Sequence, residues 1–161
     1  MANAPKPANR EIVSASLRLL AMRDMSRVEL ERKLAAKAFS QEDIAEAVVW
    51  CEAEDWLNEA RYAEVAARRL GYRYGALRIT QTLKQKGVAG AVVAAAVGEM
   101  KDTEVARARE VLMRKFGESL IEQRQSESID HDARAKQIRY MQARGFSYDV
   151  IKRAMRPTED D

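Results

Sequence analysis

Apolar residues recur along this chain at helical spacing, and one arrangement of them occurs three times. Residues 34–48, 83–97 and 141–155 align without gaps. In each segment an apolar residue is followed three positions later by a base, then by a small residue and an apolar anchor. A trio of apolar residues at i, i+3 and i+4 follows the anchor, which places the trio on one helix face. Each copy therefore predicts a helix, a tight turn and a second helix.

The small residue before the anchor is Ala38 in the first copy, Gly87 in the second and Gly145 in the third. This position suits the left-handed backbone conformation that ends many helices, and glycine adopts that conformation without strain. Serines stand where the neighbouring helices are expected to begin, and a serine at a helix start caps free backbone N–H groups. These predicted caps are Ser26, Ser40 and Ser147.

One more amphipathic helix precedes each pair, so the repeated unit has three helices. A unit of roughly 45 residues buries little surface alone, and neighbouring units are expected to stack. We predict an all-α protein of three tandem three-helix repeats, stacked into an elongated, curved array. The predicted boundaries are a disordered N-terminal tail at 1–9, repeat 1 at 10–56, repeat 2 at 57–101, repeat 3 at 102–156 with a polar insertion at 117–130, and an acidic tail at 157–161.

Composition agrees with helices, and charge divides the chain by region. Among 161 residues there are only 3 prolines and 7 glycines, and aromatic residues make up 6%. Acids outnumber bases ten to four between residues 29 and 64, whereas residues 65–98 hold six bases and no acid. A second basic stretch covers residues 134–156. Such polarised charge favours association with a charged partner.

The residue inventory argues against catalysis. His131 is the only histidine and Cys51 the only cysteine, so pairs for a zinc site or a histidine-activated nucleophile do not occur. No glycine-rich phosphate-binding motif is present. We predict no catalytic residue, no metal and no cofactor, and we interpret Cys51 as a buried thiol. One acidic cluster could hold Mg²⁺, although such clusters are usually solvated helix faces: Glu52, Glu54, Asp55 and Glu59.

The chain also lacks the patterns of membrane and exported proteins. No run approaches the roughly 20 apolar residues that a membrane span needs. The first residues contain neither the apolar stretch nor the cleavage site of a secretory signal. We therefore expect a cytoplasmic protein without membrane contact. Separately, we expect a monomer. Trp50 and Trp56 are expected to pack in the core or between repeats.

The most specific chemical pattern is residues 61–78, where arginines alternate with Tyr62, Tyr72 and Tyr74. Arginine binds carboxylate or phosphate through paired hydrogen bonds, and tyrosine supplies contact area at low entropy cost. This mixture suits either a protein interface or a nucleic-acid backbone, and composition does not choose between them. A third interpretation is a solvated helix end with Tyr62 packed inside.

The sequence resembles a known family, the RecX proteins, which are bacterial regulators of the RecA recombinase. The matching motifs are residues 19–40, 57–88 and 140–155, in the family's order and spacing. Together they cover most of the chain from residue 11 onward. The resemblance implies three tandem three-helix repeats and a protein that lodges in the helical groove of the RecA filament on single-stranded DNA.

In that position the protein would bridge successive RecA protomers, restrain ATP hydrolysis and strand exchange, and limit filament growth or favour disassembly. Links to homologous recombination, DNA repair and the SOS response follow from the same resemblance. Carried over by position, the candidates for contact with RecA or its DNA are Tyr62, Arg68, Arg69, Tyr72, Arg73, Tyr74, Arg78, Lys84, Lys86, Arg144, Lys152 and Arg153.

Three positions depart from the family pattern. Glu59 stands where an Asp is common, which keeps the charge. Ala38 replaces a glycine in the first turn, so we expect a turn that avoids positive φ. Gln137 occupies an apolar position of repeat 3, so we expect Ile138 to take over the packing.

Two other functions stay open at this stage. One is a general DNA-binding helical repeat protein that affects recombination indirectly. The other is an enzyme with a hidden metal site among the acids.

Overall fold

In the computed structural model, residues 4–125 and 130–156 are described, apart from the side chains of residues 118, 119 and 121–125. All regular structure within these ranges is helical, which confirms the all-α prediction there. The helices are Arg10–Met22 (α1), Arg27–Ala35 (α2), Gln41–Ala53 (α3), Glu59–Gly71 (α4), Ala76–Gln85 (α5), Gly90–Gly98 (α6), Glu104–Gln125 (α7), His131–Ala143 (α8) and Tyr148–Ala154 (α9), with one 3-10 turn at Lys101–Thr103.

The helices begin where the sequence places caps. The Ser26 hydroxyl accepts a hydrogen bond from the Glu29 N–H at 3.2 Å. Serines play the same part at the starts of α3 and α9, so all three predicted caps are confirmed. A cap of this kind stabilises a helix by about 1 kcal/mol. The Glu29 carboxylate pairs with Arg23, and the Arg23 guanidinium holds the pKa of that carboxyl below its ordinary value.

All three turns adopt the left-handed conformation at the predicted residue. The φ angles are 64° at Ala38, 80° at Gly87 and 82° at Gly145. Our expectation that Ala38 avoids positive φ is therefore wrong. The Ala38 N–H donates to the Ala35 carbonyl at 2.9 Å, as the N–H of Gly145 does to Gln142 at 2.9 Å. This hydrogen bond sets the turn in both repeats, and Ala38 accepts the steric cost of a left-handed alanine.

The chain divides into two compact units. Unit 1 contains Met1–Ala66 and Leu83–Ala96, and unit 2 contains Ala67–Thr82 and Val97–Asp161. The division passes through α4, α5 and α6, so the predicted second repeat contributes to both units. The repeat boundaries and the curved stacking stay predictions.

The core of unit 1 comes from the apolar faces of α1, α2 and α3. The Cys51 thiol lies in this core, and burial raises its pKa to about 11, with the Ser16 hydroxyl acting in the opposite direction. Trp50 is buried as expected, but Trp56 is 52% exposed, so its predicted packing is wrong. The buried apolar residues are Ile12, Val13, Met25, Leu30, Leu34, Ile44, Ala47, Val48, Trp50, Cys51 and Leu57.

The core of unit 2 is formed by α7, α8 and α9. Gln137 is only 1% exposed, whereas Ile138 is half-buried. Our expectation that Ile138 replaces Gln137 in the packing is therefore wrong, since the glutamine itself fills the buried position. The buried apolar residues are Ala108, Val111, Leu112, Met141, Phe146, Val150, Ile151 and Ala154.

Two predicted irregular segments are partly described. Residues 4–9 contain no helix, yet Pro7 is buried and the Lys6 ammonium lies 5.8 Å from the centre of the Trp50 ring. In the polar insertion, α7 continues to Gln125. Residues 1–3, 126–129 and the acidic tail at 157–161 lie outside the described residues.

Within the portion that is described, no helix has the length and apolar character needed to cross a membrane.

Candidate functional site

The predicted contact residues are mostly on the surface, with one clear exception. Tyr62 is only 6% exposed and belongs to the packing of α4, as the third interpretation of this segment proposed. Tyr72, in contrast, is 67% exposed, and Tyr74 is half-buried. The exposed basic candidates are Arg68, Arg69, Arg73, Arg78, Lys152 and Arg153 in unit 2, and Lys84 and Lys86 in unit 1.

The loop between α4 and α5 presents Tyr72, Arg73 and Tyr74, and two arginines of α7 hold it in place. The Arg107 guanidinium donates to the Gly71 carbonyl at 3.2 Å and to the Tyr74 carbonyl at 3.4 Å. Arg114 donates to the Tyr72 carbonyl at 2.6 Å. Burial lowers the pKa of Arg107 from its ordinary value, against the opposing effect of nearby carboxylates. The loop is thus fixed through its main chain, which leaves the Tyr72 and Arg73 side chains at the surface.

The Arg144 guanidinium lies over two aromatic rings. Its guanidinium carbon is 4.9 Å from the centre of the Tyr140 ring and 5.6 Å from the centre of the Tyr74 ring. Arg78 adds a second cation near Tyr74, at 5.5 Å, and the Lys115 ammonium is 6.0 Å from Tyr140. Cation–π contacts of this kind stabilise each pair by about 0.5–2 kcal/mol, depending on solvent exposure. The rings therefore hold the guanidinium in one orientation.

Main-chain hydrogen bonds bring these two parts together. The Gly75 N–H donates to the Arg144 carbonyl at 2.9 Å, and the Leu77 N–H donates to the Gly145 carbonyl at 3.2 Å. A Cβ atom at Gly75 would overlap the Gly145 carbonyl group. Because only glycine permits this approach, the loop of repeat 2 packs directly against the turn of repeat 3.

A groove of about 210 Å³ opens between the α4–α5 loop, α7 and the end of α8. Four of its described lining residues are cationic and none of them is acidic, so the groove favours an anionic ligand. We call it the Tyr–Arg groove. Its lining residues are Tyr72, Arg73, Val111, Arg114, Lys115, Tyr140 and Arg144.

The groove contains part of the predicted set and adds residues that sequence reasoning missed. Tyr72, Arg73 and Arg144 line it, with Tyr74 and Arg78 against its arginine. Four lining residues were not predicted because they come from helices outside the arginine-rich segment. These residues are Val111, Arg114, Lys115 and Tyr140. The remaining exposed candidates do not line the groove.

The acidic cluster is engaged in local contacts. Glu52 pairs with Arg27 at 3.2 Å, and Asp55 accepts a hydrogen bond from the Asn58 amide at 2.8 Å. Glu59 accepts from the Ala89 N–H at 3.4 Å. Among the residues for which the structure gives positions, no group of three or more His, Cys, Asp or Glu side chains could hold a metal ion.

The fold and the groove define an all-helical repeat protein with a surface suited to anionic groups. Family models match its three parts separately: RecX first three-helix domain at residues 14–51, second at 58–97 and third at 102–155. The chain belongs to the RecX family.

Relatives named regulatory protein RecX match most of the chain. One from Ralstonia pickettii is 37% identical over 138 residues, which is 86% of this chain and 82% of the relative. One from Vibrio campbellii is 33% identical over 159 residues, covering 98% of this chain and 96% of the relative. The crystal structure of RecX from Lactobacillus salivarius has a TM-score of 0.77 at 21% identity, covering 91% of this chain and 93% of that one. That likeness supports the fold.

Proposed function

We propose that this protein binds the RecA nucleoprotein filament and modulates it, chiefly by inhibiting its ATP hydrolysis, strand exchange and growth. Its relatives are named regulatory proteins, and the family resemblance implies RecA as the target. The protein acts by binding in the cytoplasm, without catalysing a reaction. Its effect extends to homologous recombination, DNA repair and the SOS response.

The observation that carries this proposal, beside family membership, is the Tyr–Arg groove. A nucleoprotein filament presents DNA phosphates and protein carboxylates, and both are anions that arginine forks bind. The groove collects arginine and lysine from two repeats in unit 2, with Arg144 oriented by Tyr74 and Tyr140. A surface prepared in this way loses little side-chain freedom on binding.

The other exposed bases are additional candidate contacts. Arg68 and Arg69 lie in the last turn of α4, and Lys152 and Arg153 in the last turn of α9. Lys84, in the last turn of α5, and Lys86, just after that helix, are further candidates within unit 1. Tyr62, because it is buried, supports the helix and is not proposed as a contact.

The test is RecA's ATP hydrolysis on single-stranded DNA, titrated with this protein. The variant Arg73→Glu with Arg78→Glu reverses two exposed charges at the groove. Its matched control, Arg32→Glu with Arg134→Glu, reverses two exposed arginines outside the groove. We expect the wild type and the control to suppress hydrolysis, and the groove variant to need at least tenfold more protein because charge reversal removes favourable contacts.

Unchanged hydrolysis and strand exchange at saturating wild-type protein would contradict the proposed function. If the groove variant and its control inhibit equally, the function stands but the groove is not its contact surface. Circular dichroism should be alike for all three proteins, since every replaced side chain is exposed. The groove variant should melt only slightly earlier, because it loses the contact between Arg78 and Tyr74.

The groove also keeps the general DNA-binding function as a second candidate. Exposed tyrosine beside clustered cations is typical of single-strand binding surfaces. Binding to naked DNA with a steep salt dependence, together with no effect on RecA hydrolysis, would favour this candidate.

A further inference from the structure

We infer that the Tyr–Arg groove binds a segment of single-stranded nucleic acid, with a backbone phosphate at Arg144 and Lys115 and a base stacked on the Tyr72 ring. This inference rests on the proposed function, because it names the ligand of the same groove.

Arg144 is prepared to bind an oxyanion. The rings of Tyr140 and Tyr74 contact its guanidinium at 4.9 and 5.6 Å. Its carbonyl accepts the Gly75 N–H, and its own N–H donates to the Tyr140 carbonyl at 3.2 Å, so its main chain is fixed as well. Aromatic contacts use the faces of a guanidinium, whereas phosphate binds the N–H groups at its edge. The edge therefore suits a bidentate contact with a phosphate.

Further cations around Arg144 match the charge of a nucleic-acid backbone. Lys115 lies over the same Tyr140 ring, and Arg73 is exposed on the loop. Arg114 donates one hydrogen bond to the Tyr72 carbonyl and retains further N–H groups. A nucleic-acid strand carries one phosphate per nucleotide, so successive phosphates can reach several of these cations.

Tyr72 supplies the contact that distinguishes nucleic acid from an acidic peptide. Its side chain is 67% exposed although its carbonyl is held by Arg114. An exposed ring on a fixed stretch of main chain, beside cations, suits stacking with an unpaired base, and such stacking is tolerant of base sequence. A carboxylate peptide would use the cations but would leave this ring without a flat partner.

Base stacking favours an unpaired strand over a duplex. In a duplex the base faces are stacked on one another, so they are not available to Tyr72. An unpaired strand can place a base on such an aromatic ring.

The experiment measures the binding of fluorescein-labelled oligothymidylate by fluorescence anisotropy, without RecA. Tyr72→Ala should weaken binding at least about fivefold, since stacking is lost, while Tyr72→Phe should retain it. The matched control is Tyr148→Ala, which removes a tyrosine that is 60% exposed on α9 and does not line the groove. This control should bind like the wild type.

A second pair of variants tests the phosphate contacts. Arg73→Gln with Lys115→Gln should reduce the slope of log affinity against log salt by about 1.4, which is two single-strand phosphate contacts. Arg32→Gln with Arg134→Gln, two exposed arginines elsewhere, should leave the slope unchanged. A labelled duplex should bind more weakly than the oligothymidylate.

Equal binding by Tyr72→Ala and Tyr148→Ala would overturn the inference. So would an oligoglutamate probe that competes as strongly as oligothymidylate, because the groove would then recognise carboxylates. If the wild type inhibits RecA hydrolysis but binds no oligothymidylate, the inference fails while the proposed function stands. If the wild type binds oligothymidylate but leaves RecA hydrolysis unchanged, the proposed function fails while the inference stands.

Discussion

In each unit the start of a repeat's second helix contacts the turn of the following repeat, but different atoms make the two contacts. At the start of α2, in unit 1, the Ser26 hydroxyl donates to the Lys86 carbonyl at 2.8 Å. At the start of α5, in unit 2, the Gly75 N–H donates to the Arg144 carbonyl at 2.9 Å. We call these the Ser26 contact and the Gly75 contact. The two acceptors, the carbonyls of Lys86 and Arg144, occupy equivalent positions in repeats 2 and 3.

The two contacts differ in how much they can adjust. In unit 1, Gly87 lies against the side chain of Val28, which can move to some extent. In unit 2, Gly145 lies 2.5 Å, measured from a Cβ atom built on it, from the main-chain nitrogen of Arg78. Because main chain packs against main chain at Gly145, no side chain can move to relieve the overlap. The contact beneath the Tyr–Arg groove is therefore the stiffer of the two, which suits a site that must hold Arg144 in place.

The largest effect is expected for Gly145→Ala. The new methyl group would overlap the Arg78 main chain, and φ at this position is 82°. We expect the free energy of unfolding to fall by about 3 kcal/mol, from overlap and left-handed strain together. Urea unfolding followed by circular dichroism measures the loss. Gly90→Ala is the control, since a Cβ there meets nothing within 4 Å. Similar midpoints for the two variants would contradict the stiffness of this contact.

A smaller effect is expected for Gly75→Ala, where only the overlap with the Gly145 carbonyl group operates. The free energy of unfolding should fall by about 2 kcal/mol. Because this contact places Arg144 against Tyr74, binding of oligothymidylate should weaken as well. The same unfolding and anisotropy measurements apply. A variant that is destabilised yet binds normally would show that the Gly75 contact supports the fold without positioning the groove.

The smallest effect is expected for Ser26→Ala at the Ser26 contact. This change removes the cap of α2 and the hydrogen bond to Lys86, at a cost of about 1.5 kcal/mol. Ser40→Ala removes a cap alone, since its hydroxyl accepts from the Asp43 N–H at 3.1 Å. The difference between their urea midpoints measures the contribution of the contact. Equal midpoints would mean that the Ser26 contact adds no stability beyond capping.

Local signals in the sequence predicted most of the fold. Serine caps, left-handed turn positions and apolar trios act within a few residues, so they can be recognised in a single chain. Tyr72, Arg73 and Arg144 were predicted for the site because each lies in a segment with a distinctive composition. These signals are short-range, and they say little about which segments meet.

The remaining site residues depend on tertiary packing. Lys115 and Tyr140 come together only when α7 and α8 pack, and neither stands out from the basic and aromatic residues nearby. The fold also overrides the preferences of single residues. Ala38 is left-handed because of a turn hydrogen bond, and Gln137 is polar but occupies a buried position. Sequence therefore predicted the repeats better than their assembly.

The alanine in the first turn affects how closely another helix can approach that turn. At Gly145 the start of α5 lies so close that an added methyl group would overlap the Arg78 main chain. Ala38 adopts the same left-handed conformation, is exposed, and carries that methyl group. A further repeat, or a second copy of the chain, that approached this turn with the same geometry would collide with it. An approach of this kind requires glycine at the turn, and the first turn has alanine instead.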